Sequence, residues 1–185
     1  MKTPLFLAAV ALGAVCAGAG VPQAVEPAVI PAYRLIHPGL AVAGQPTPEA
    51  IKGLGEMGFR TVVNLRSEKE GPADERAAVE AQGLRYVSIP VMPDTFSLAD
   101  VEAVEKILDD PSAAPVLLHC ASSNRVGGTW AVIQVRKGKS LEEAEAAGRA
   151  AGLHSPQMEA AVRRVLGAPA PATAPPAPAA APVNP

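Results

Sequence analysis

The sequence predicts an α/β fold with a mainly parallel central sheet that is flanked by helices. Short apolar, β-branched segments alternate along the chain with segments of helical spacing, and turn residues such as Gly and Pro separate them. Residues 59–65 (FRTVVNL) are continuously apolar or β-branched near their centre, as a strand covered on both faces should be. Alternating strands and helices form right-handed crossovers between parallel strands, which gives a layered sheet.

The predicted strands are short and end at turn residues. A His-Pro-Gly turn at residues 37–39 separates the first two strands. The strands are expected at residues 33–36, 40–43, 59–65, 84–89 and 115–119.

The predicted helices carry start and stop signals. Thr47 is an N-cap followed by a proline, Ser97 caps a helix, and Ser140 with Glu143 forms a capping box. The helices are expected at residues 48–57, 73–82, 98–107, 126–136, from 141 onward, and 156–166.

The first twenty residues are typical of a secretory signal peptide. They hold a lone cation, Lys2, an apolar run over residues 5–17, and small residues suited to cleavage near Ala19. We therefore expect a periplasmic or secreted protein with no stable membrane insertion after cleavage. A lipoprotein that begins at Cys16 and an uncleaved membrane anchor are the alternatives.

Residues 167–185 form a Pro/Ala-rich tract with almost no large apolar group, which predicts a disordered tail. The folded domain is then expected over residues 21–166. The formal net charge is -2 and there is no basic run, which argues against a nucleic-acid partner. Only 3% of the residues are aromatic, so the core must be built mainly from Val, Leu, Ile and Ala.

The chain has two cysteines, Cys16 and Cys120. Removal of a signal peptide would leave Cys120 as an unpaired thiol in an oxidising compartment, where cysteines usually pair or are avoided. Such a thiol is either buried and inert or kept for chemistry.

The sequence around Cys120 favours chemistry. A strand (PVLLH) ends at this cysteine, small and polar residues follow, and Arg125 opens a helix. The backbone N–H groups of such a loop and the positive helix N-terminus form an anion-binding nest, which also stabilises a thiolate. Arg125 can hold two oxygens of an oxyanion through its planar fork. Without Arg125, a small buried cysteine at a strand end would be the simpler interpretation.

The motifs Gly-Gln-Pro (44–46), FRTVVNLR (59–66), Ser-Ile-Pro (88–90) and His119-Cys120 with Arg125 resemble the bacterial tyrosine-phosphatase-like family. This family is related to dual-specificity phosphatases and to the phosphatase-like domain of β-lactamase-hydrolase-like proteins. The resemblance implies a cysteine-phosphatase-like fold and hydrolysis of phosphate monoesters, phosphotyrosine among them, through a cysteinyl-phosphate on Cys120.

The same resemblance implies roles for further residues. Arg125 would hold the phosphoryl oxygens and Asp94 would protonate the leaving group, with Asp100 as a fallback that helix capping already explains. The substrate would be a phosphorylated small molecule or protein. No metal or other cofactor is expected, and His37 and His154 have no metal-ligand spacing. The loop that binds the substrate would comprise His119, Ala121, Ser122, Ser123 and Asn124.

The loop also departs from the family pattern. Four residues separate Cys120 from Arg125 where dual-specificity phosphatases have five, Ser123 stands near a glycine position, and Val126 replaces a Ser or Thr. Ser122, Ser123 or Thr129 would have to supply the missing hydroxyl. A four-residue spacing is shared by rhodanese-like sulfurtransferases, which would use a Cys120 persulfide. The other alternative is a non-catalytic oxyanion-binding module. Arg66, at the end of the third strand, is interpreted as a surface arginine or as an aid to anion binding.

Overall fold

A computed structural model describes residues 30–169 and confirms the predicted α/β fold with a mostly parallel central sheet. Across these residues the sheet has five strands in the order β1-β2-β5-β3-β4. Strand β1 is antiparallel to β2, and the remaining pairs are parallel. The strands are β1 (Arg34–His37), β2 (Leu40–Ala43), β3 (Thr61–Asn64), β4 (Arg85–Ser88) and β5 (Val116–His119).

All the predicted helices are present. They are α1 (Pro48–Gly53), α2 (Pro72–Glu80), α3 (Leu98–Leu108), α4 (Asn124–Arg136), α5 (Leu141–Ala150) and α6 (Pro156–Val165). The prediction for α1 was too long, because the helix ends at Gly53 and residues 54–58 form turns that finish at Gly58, which has a φ of 89°. One element was not predicted, a 3₁₀ turn at Glu68–Glu70 between β3 and α2.

The strand side chains alternate between two cores, one on each face of the sheet. Ala41, Val62 and Leu117 point into a core shared with α1 and α2. Val42, Val63 and Leu118 point into a larger core shared with α3, α4 and α6, and Cys120 lies in this core. Helices therefore cover both faces of the parallel strands, as continuously apolar strands require.

The carboxyl ends of β5, β3 and β4 lie side by side, so the segments after them meet at one edge of the sheet. The Leu65 N–H donates to the His119 carbonyl at 2.9 Å, and the Ile89 N–H donates to the Asn64 carbonyl at 2.9 Å. This edge is where ligands bind in open α/β sheets.

Helices α4 and α5 touch through glycines. A Cβ on Gly127 would lie 2.6 Å from the Gly148 carbonyl oxygen, and one on Gly148 would lie 2.8 Å from the Gly127 oxygen, so neither position has room for a side chain. This close approach brings the connection after α5, residues 151–155, against the start of α4.

The predicted signal peptide, residues 1–20, and nearly all of the predicted Pro/Ala tail lie outside the described residues. Within residues 30–169, none of the helices has the length and apolar character needed to span a membrane.

Candidate active site

The candidate site is the loop of residues 120–125, which joins β5 to α4. Helix α4 begins at Asn124, so Arg125 lies in its first turn, and Cys120 is the first residue after β5. The segment after β2 runs along this loop, because the Gln45 N–H donates to the Ala121 carbonyl at 3.0 Å. Cys120 is fully buried, whereas Ala121 and Ser122 are exposed. The thiol therefore lies at the base of the loop and the next two residues form its rim.

Ser123 occupies a backbone conformation that favours glycine. Its φ is 68°, in the left-handed region, at the position where the family pattern has a glycine. Its hydroxyl donates to the Ala151 carbonyl at 2.8 Å. Gly152 lies directly against it, and a Cβ there would approach the Ser123 Cβ to 2.6 Å. The Ser123 hydroxyl is thus committed to the α5–α6 connection and does not face the thiol as a free donor.

The Asn124 side chain also faces away from the loop. Its Oδ1 accepts hydrogen bonds from the backbone N–H groups of His154 at 2.9 Å and Ser155 at 3.1 Å, and its Nδ2 donates to the Ser155 Oγ at 2.8 Å. We had predicted Asn124 among the substrate-binding residues. Its side chain instead anchors the start of α4, so any contact with an anion would come from its backbone.

Arg125 is held by a carboxylate that the sequence analysis did not single out. Its two terminal nitrogens donate to the two carboxylate oxygens of Glu70, each at 2.7 Å. The hydrogen bond that Arg125 donates to Glu70 raises the pKa of Arg125, burial opposes this rise, and the nearby Cys120 sulfur adds to it. The guanidinium therefore lies between the thiol and a fixed carboxylate, with its remaining N–H groups available to another oxyanion.

The 3₁₀ turn fixes Glu70 in place. The backbone N–H and the hydroxyl of Ser67 both donate to Glu70 Oε2 at 2.8 Å, and Gly71 reverses the chain with a φ of 70°. The hydrogen bond from Arg125 lowers the pKa of Glu70 to about 2, against a smaller opposing effect of burial. Glu70 is therefore an anion at any physiological pH.

His119 belongs to a second, deeper pair of polar side chains. Its Nε2 lies 2.6 Å from Glu75 Oε1, and its Nδ1 lies 3.3 Å from the Cys120 carbonyl oxygen. Both residues are buried. Burial raises the pKa of Glu75, but His119, Gln45 and Arg66 outweigh it and leave the net pKa below its ordinary value. Both ring nitrogens of His119 therefore face oxygen atoms, and the contact with the Cys120 carbonyl ties the imidazole to the start of the loop.

The other carboxylate oxygen of Glu75 accepts hydrogen bonds from further polar side chains. Glu75 Oε2 accepts from Gln45 Nε2 at 3.0 Å, from Asn64 Nδ2 at 3.0 Å and from Arg66 at 3.3 Å. Asn64 also donates to the Tyr86 hydroxyl at 2.8 Å, and burial raises the pKa of Tyr86 to about 12. These contacts make the segments after β2 and β3 into one hydrogen-bonded unit under the loop.

Arg66 is not a surface arginine. Its side chain is 15% exposed and donates to Gln45 Oε1 at 2.6 Å, to Glu75 and to the Glu70 carbonyl. It links the two pairs, Glu70–Arg125 and Glu75–His119. Because it bonds to Gln45, to the Glu75 carboxylate and to the Glu70 backbone, Arg66 holds these segments together.

A cavity of about 410 Å³ lies beside this network, between α1 and α2. Its polar wall includes Gln45, Arg66 and Glu75, and the rest of its lining is mainly apolar. Neither Cys120 nor Arg125 lines it, so it is a neighbour of the loop and not the pocket above the thiol.

The predicted acid, Asp94, is exposed in the loop of residues 92–97, which follows β4 at the same edge of the sheet. The fallback, Asp100, accepts from the Ser97 N–H and hydroxyl, each at 2.9 Å, in the capping box of α3. Asp100 is therefore committed to its helix, whereas Asp94 is the more available carboxylate. Within residues 30–169 no cluster of three His, Cys, Asp or Glu side chains is placed to hold a metal ion.

Sequence reasoning missed Glu70 and Glu75. For Glu70, the Ser67-x-x-Glu70 spacing before Gly-Pro is a capping-box signal that was available. For Glu75, the signal was a carboxylate four residues before the apolar Val79 on a predicted helix, which places it on the buried face. A buried carboxylate requires a charged or hydrogen-bonded partner.

The fold and the loop are those of a phosphatase-like α/β domain. The particular family is set by a family profile described as "Beta-lactamase hydrolase-like protein, phosphatase-like domain", which matches residues 32–137. The chain belongs to this family, as its motifs indicated. The membership favours the phosphatase over the sulfurtransferase alternative.

Relatives and solved structures agree with this assignment. The beta-lactamase hydrolase-like protein of Xylella fastidiosa (strain Temecula1) is 32% identical over 123 residues, which are 63% of this chain and 28% of that protein. The chain therefore spans little more than a quarter of the curated relatives it matches. The structure of P. aeruginosa TpbA is 25% identical with a TM-score of 0.62, over 78% of this chain and 91% of TpbA. A putative phosphatase (DUF442) of Shewanella putrefaciens CN-32 is 25% identical with a TM-score of 0.60, over 75% of this chain and 93% of that one.

Proposed function

We propose that this protein hydrolyses phosphate monoesters through a covalent cysteinyl-phosphate on Cys120. The observation that carries the proposal is the joint placement of a buried thiol and a guanidinium on one loop at the carboxyl edge of the sheet. Cys120 directly follows β5, Arg125 lies in the first turn of α4, and the sulfur contributes to the raised pKa of Arg125. Such a loop combines a nucleophile with donors aimed at the oxygens of the transferred group.

In the first step the Cys120 thiolate attacks phosphorus and the bond from phosphorus to the leaving oxygen breaks. Asp94 donates its proton to that oxygen, so the leaving group departs as a neutral alcohol or phenol. Arg125 and the backbone N–H groups of the loop stabilise the equatorial oxygens, where most of the charge of the transition state lies.

In the second step water attacks the phosphorus of the cysteinyl-phosphate and the sulfur–phosphorus bond breaks. The Asp94 carboxylate accepts the proton of the water, inorganic phosphate forms, and the thiolate is regenerated. Val126 offers no hydroxyl directly after Arg125 to assist the departing thiolate. The backbone N–H groups of the loop and the N-terminus of α4 stabilise it instead.

Phosphotyrosine is one proposed substrate, and the support for it comes from a structurally similar protein. A variant of P. aeruginosa TpbA has been solved in complex with phosphotyrosine, and it is 24% identical to this chain with a TM-score of 0.61. That likeness concerns the fold, so the substrate of this chain is a proposal. We further propose that residues 1–20 direct export to the periplasm or the medium and that residues 21–166 form the exported domain.

The test is hydrolysis of para-nitrophenyl phosphate by the full chain in the presence of EDTA, beside the Cys120→Ser variant. We expect phosphate release that persists in EDTA and is lost in Cys120→Ser, because a serine hydroxyl in this site is a far weaker nucleophile. Acid quenching during turnover should trap one phosphoryl group on the peptide that contains Cys120, detected by mass spectrometry.

Two results would contradict the proposal. Phosphate release that survives Cys120→Ser would exclude the thiol as nucleophile. Formation of thiocyanate from thiosulfate and cyanide, without phosphatase activity, would establish sulfur transfer on Cys120 instead.

A further inference from the structure

The loop of residues 92–97 is anchored at its ends and exposed at its tip. Val91 and Phe96 are buried in the larger core, and the Val91 N–H donates to the Leu65 carbonyl at 3.1 Å. Between these anchors, Met92, Asp94 and Thr95 are exposed. The buried ends fix where the loop starts and stops, but they do not fix the direction of its tip.

One side chain from a distant helix holds the tip. Arg164, in the last turn of α6, donates through one terminal nitrogen toward the carbonyl oxygens of Pro93 at 2.8 Å, Phe96 at 3.2 Å and Asp94 at 3.5 Å. The contacts span about 70 residues of sequence, so they are tertiary contacts and not part of a local turn. Among the hydrogen bonds of the described residues, no other side chain donates to these three carbonyls.

The position of Arg164 in α6 does not by itself explain why its side chain extends to the 92–97 loop. A cation in the last turn of a helix is favourable because of the helix dipole, and its neighbour Arg163 is equally placed for that. Arg163 pairs with Glu145 at 2.7 Å and donates to the Pro169 carbonyl at 3.2 Å, and none of its hydrogen bonds within the described residues goes to the loop. Both arginines lie at the same helix end, carry the same charge and make ion pairs or hydrogen bonds. They differ in that only Arg164 is hydrogen-bonded to the 92–97 loop.

We propose that Arg164 is a positioning residue for proton donation: it holds the 92–97 loop so that the Asp94 carboxyl faces the leaving group above Cys120. This inference rests on the proposed function. A guanidinium suits the task because the two N–H bonds of one terminal nitrogen have fixed directions in the guanidinium plane, so carbonyls bound to that nitrogen are fixed relative to one another. General-acid catalysis needs the acid within hydrogen-bond reach of the leaving oxygen, and small displacements lose much of its effect.

The consequence to measure is sensitivity to the leaving group. Para-nitrophenolate is stable as an anion and needs little help from an acid, whereas phenolate needs protonation as it leaves. A displaced acid should therefore slow phenyl phosphate much more than para-nitrophenyl phosphate. A purely structural defect, which reduces the amount of folded enzyme, would slow both substrates by the same factor.

The experiment compares kcat/KM for both substrates in the full chain and in Arg164→Ala, Arg163→Ala, Asp94→Asn and the double variant Asp94→Asn/Arg164→Ala. We expect Arg164→Ala to lower kcat/KM for phenyl phosphate by about tenfold and for para-nitrophenyl phosphate by less than about threefold. Arg164→Lys should recover part of the difference, since one ammonium can bind one of the carbonyls. Arg163→Ala should leave the ratio of the two substrates unchanged.

The double variant decides whether Arg164 acts through Asp94. If it does, adding Arg164→Ala to Asp94→Asn changes the substrate ratio no further, because there is no acid left to position. Equal losses on both substrates in Arg164→Ala, or additive losses in the double variant, would overturn the inference. If Asp94→Asn leaves the ratio unchanged while Cys120→Ser abolishes turnover, the inference fails and the Cys120 mechanism stands.

Discussion

Two loops meet at the same edge of the sheet and are held in different ways. The 120–125 loop is held by carboxylates from elsewhere in the chain. The part-buried Glu70 pairs with Arg125, and the buried Glu75 pairs with His119. The 92–97 loop carries its carboxylate in the open, and the contacts that hold its tip go to backbone carbonyls. The side chains proposed to bind an anion are thus fixed by carboxylate partners, whereas the Asp94 carboxylate is exposed and its loop is held through the backbone.

The largest expected difference between the two loops is in folding stability. Glu75→Ala leaves His119 buried without its partner, which should lower the free energy of unfolding by about 3 kcal/mol. Asp94→Asn removes an exposed carboxylate and should change it by less than about 0.5 kcal/mol. Urea denaturation of the two variants and the unchanged chain at neutral pH measures both values.

Glu80→Ala is the matched control for Glu75→Ala, because Glu80 lies on the same helix in an exposed pair with Arg76. Its effect should stay below about 1 kcal/mol. Equal effects of Glu75→Ala and Glu80→Ala would show that the buried pair does not hold the loop.

A smaller effect is expected on anion binding. Glu70→Gln removes the negative charge that faces Arg125 and should strengthen competitive inhibition by orthophosphate about fivefold, equivalent to about 1 kcal/mol. Glu68→Gln is the control, since Glu68 is exposed in the same 3₁₀ turn. Weaker inhibition in Glu70→Gln would mean that Glu70 chiefly orients Arg125, and that the orientation matters more than the competing charge.

The smallest effect is the pH dependence of stability that Glu70 contributes. Its pKa is lowered from 4.5 to about 2 in the folded protein, so the unfolded chain takes up the proton first as the pH falls. The stabilisation is complete above pH 4.5 and is lost progressively toward pH 2. Because the carboxylate is partly exposed, solvent screening should keep it below about 1 kcal/mol.

This pH dependence is measured as the difference in urea midpoint between the unchanged chain and Glu70→Gln. The difference should shrink between pH 5 and pH 2.5, two values that bracket much of the titration. A difference that is constant over this range would contradict a salt bridge between Glu70 and Arg125 in solution.

The sequence predicted the sheet, the helices and the loop because these features are local. Caps such as Ser140 with Glu143 and the strand–cysteine–arginine order can be recognised within a few residues. The position of Asp100 near a helix start likewise predicted its capping role from the sequence alone. The end of α1 was predicted too late, because glycines at 53, 55 and 58 follow one another closely and the helix ends at the first of them rather than at the last.

The partners of the site were not predictable in the same way. Glu70 and Arg125 are separated by 55 residues, and no local pattern states that a carboxylate after β3 will meet an arginine after β5. Arg66 was misread for the same reason, because its burial depends on Gln45 and Glu75, which come from two other segments. Asn124 lies in the predicted loop, but the direction of its side chain is set by residues 154 and 155.

The supports of the loop lie partly outside the span that defines the family. The profile ends at residue 137, yet the acceptor of Ser123 is Ala151, the partners of Asn124 are His154 and Ser155, and the loop that carries Asp94 is held by Arg164. If the matched span were grafted onto another scaffold, it would include Cys120 and Arg125 but none of these supporting residues. A fragment that keeps the proposed activity therefore has to include α5 and α6. Homologues whose sequences differ in these two helices should differ in catalytic rate even where residues 120–125 are identical.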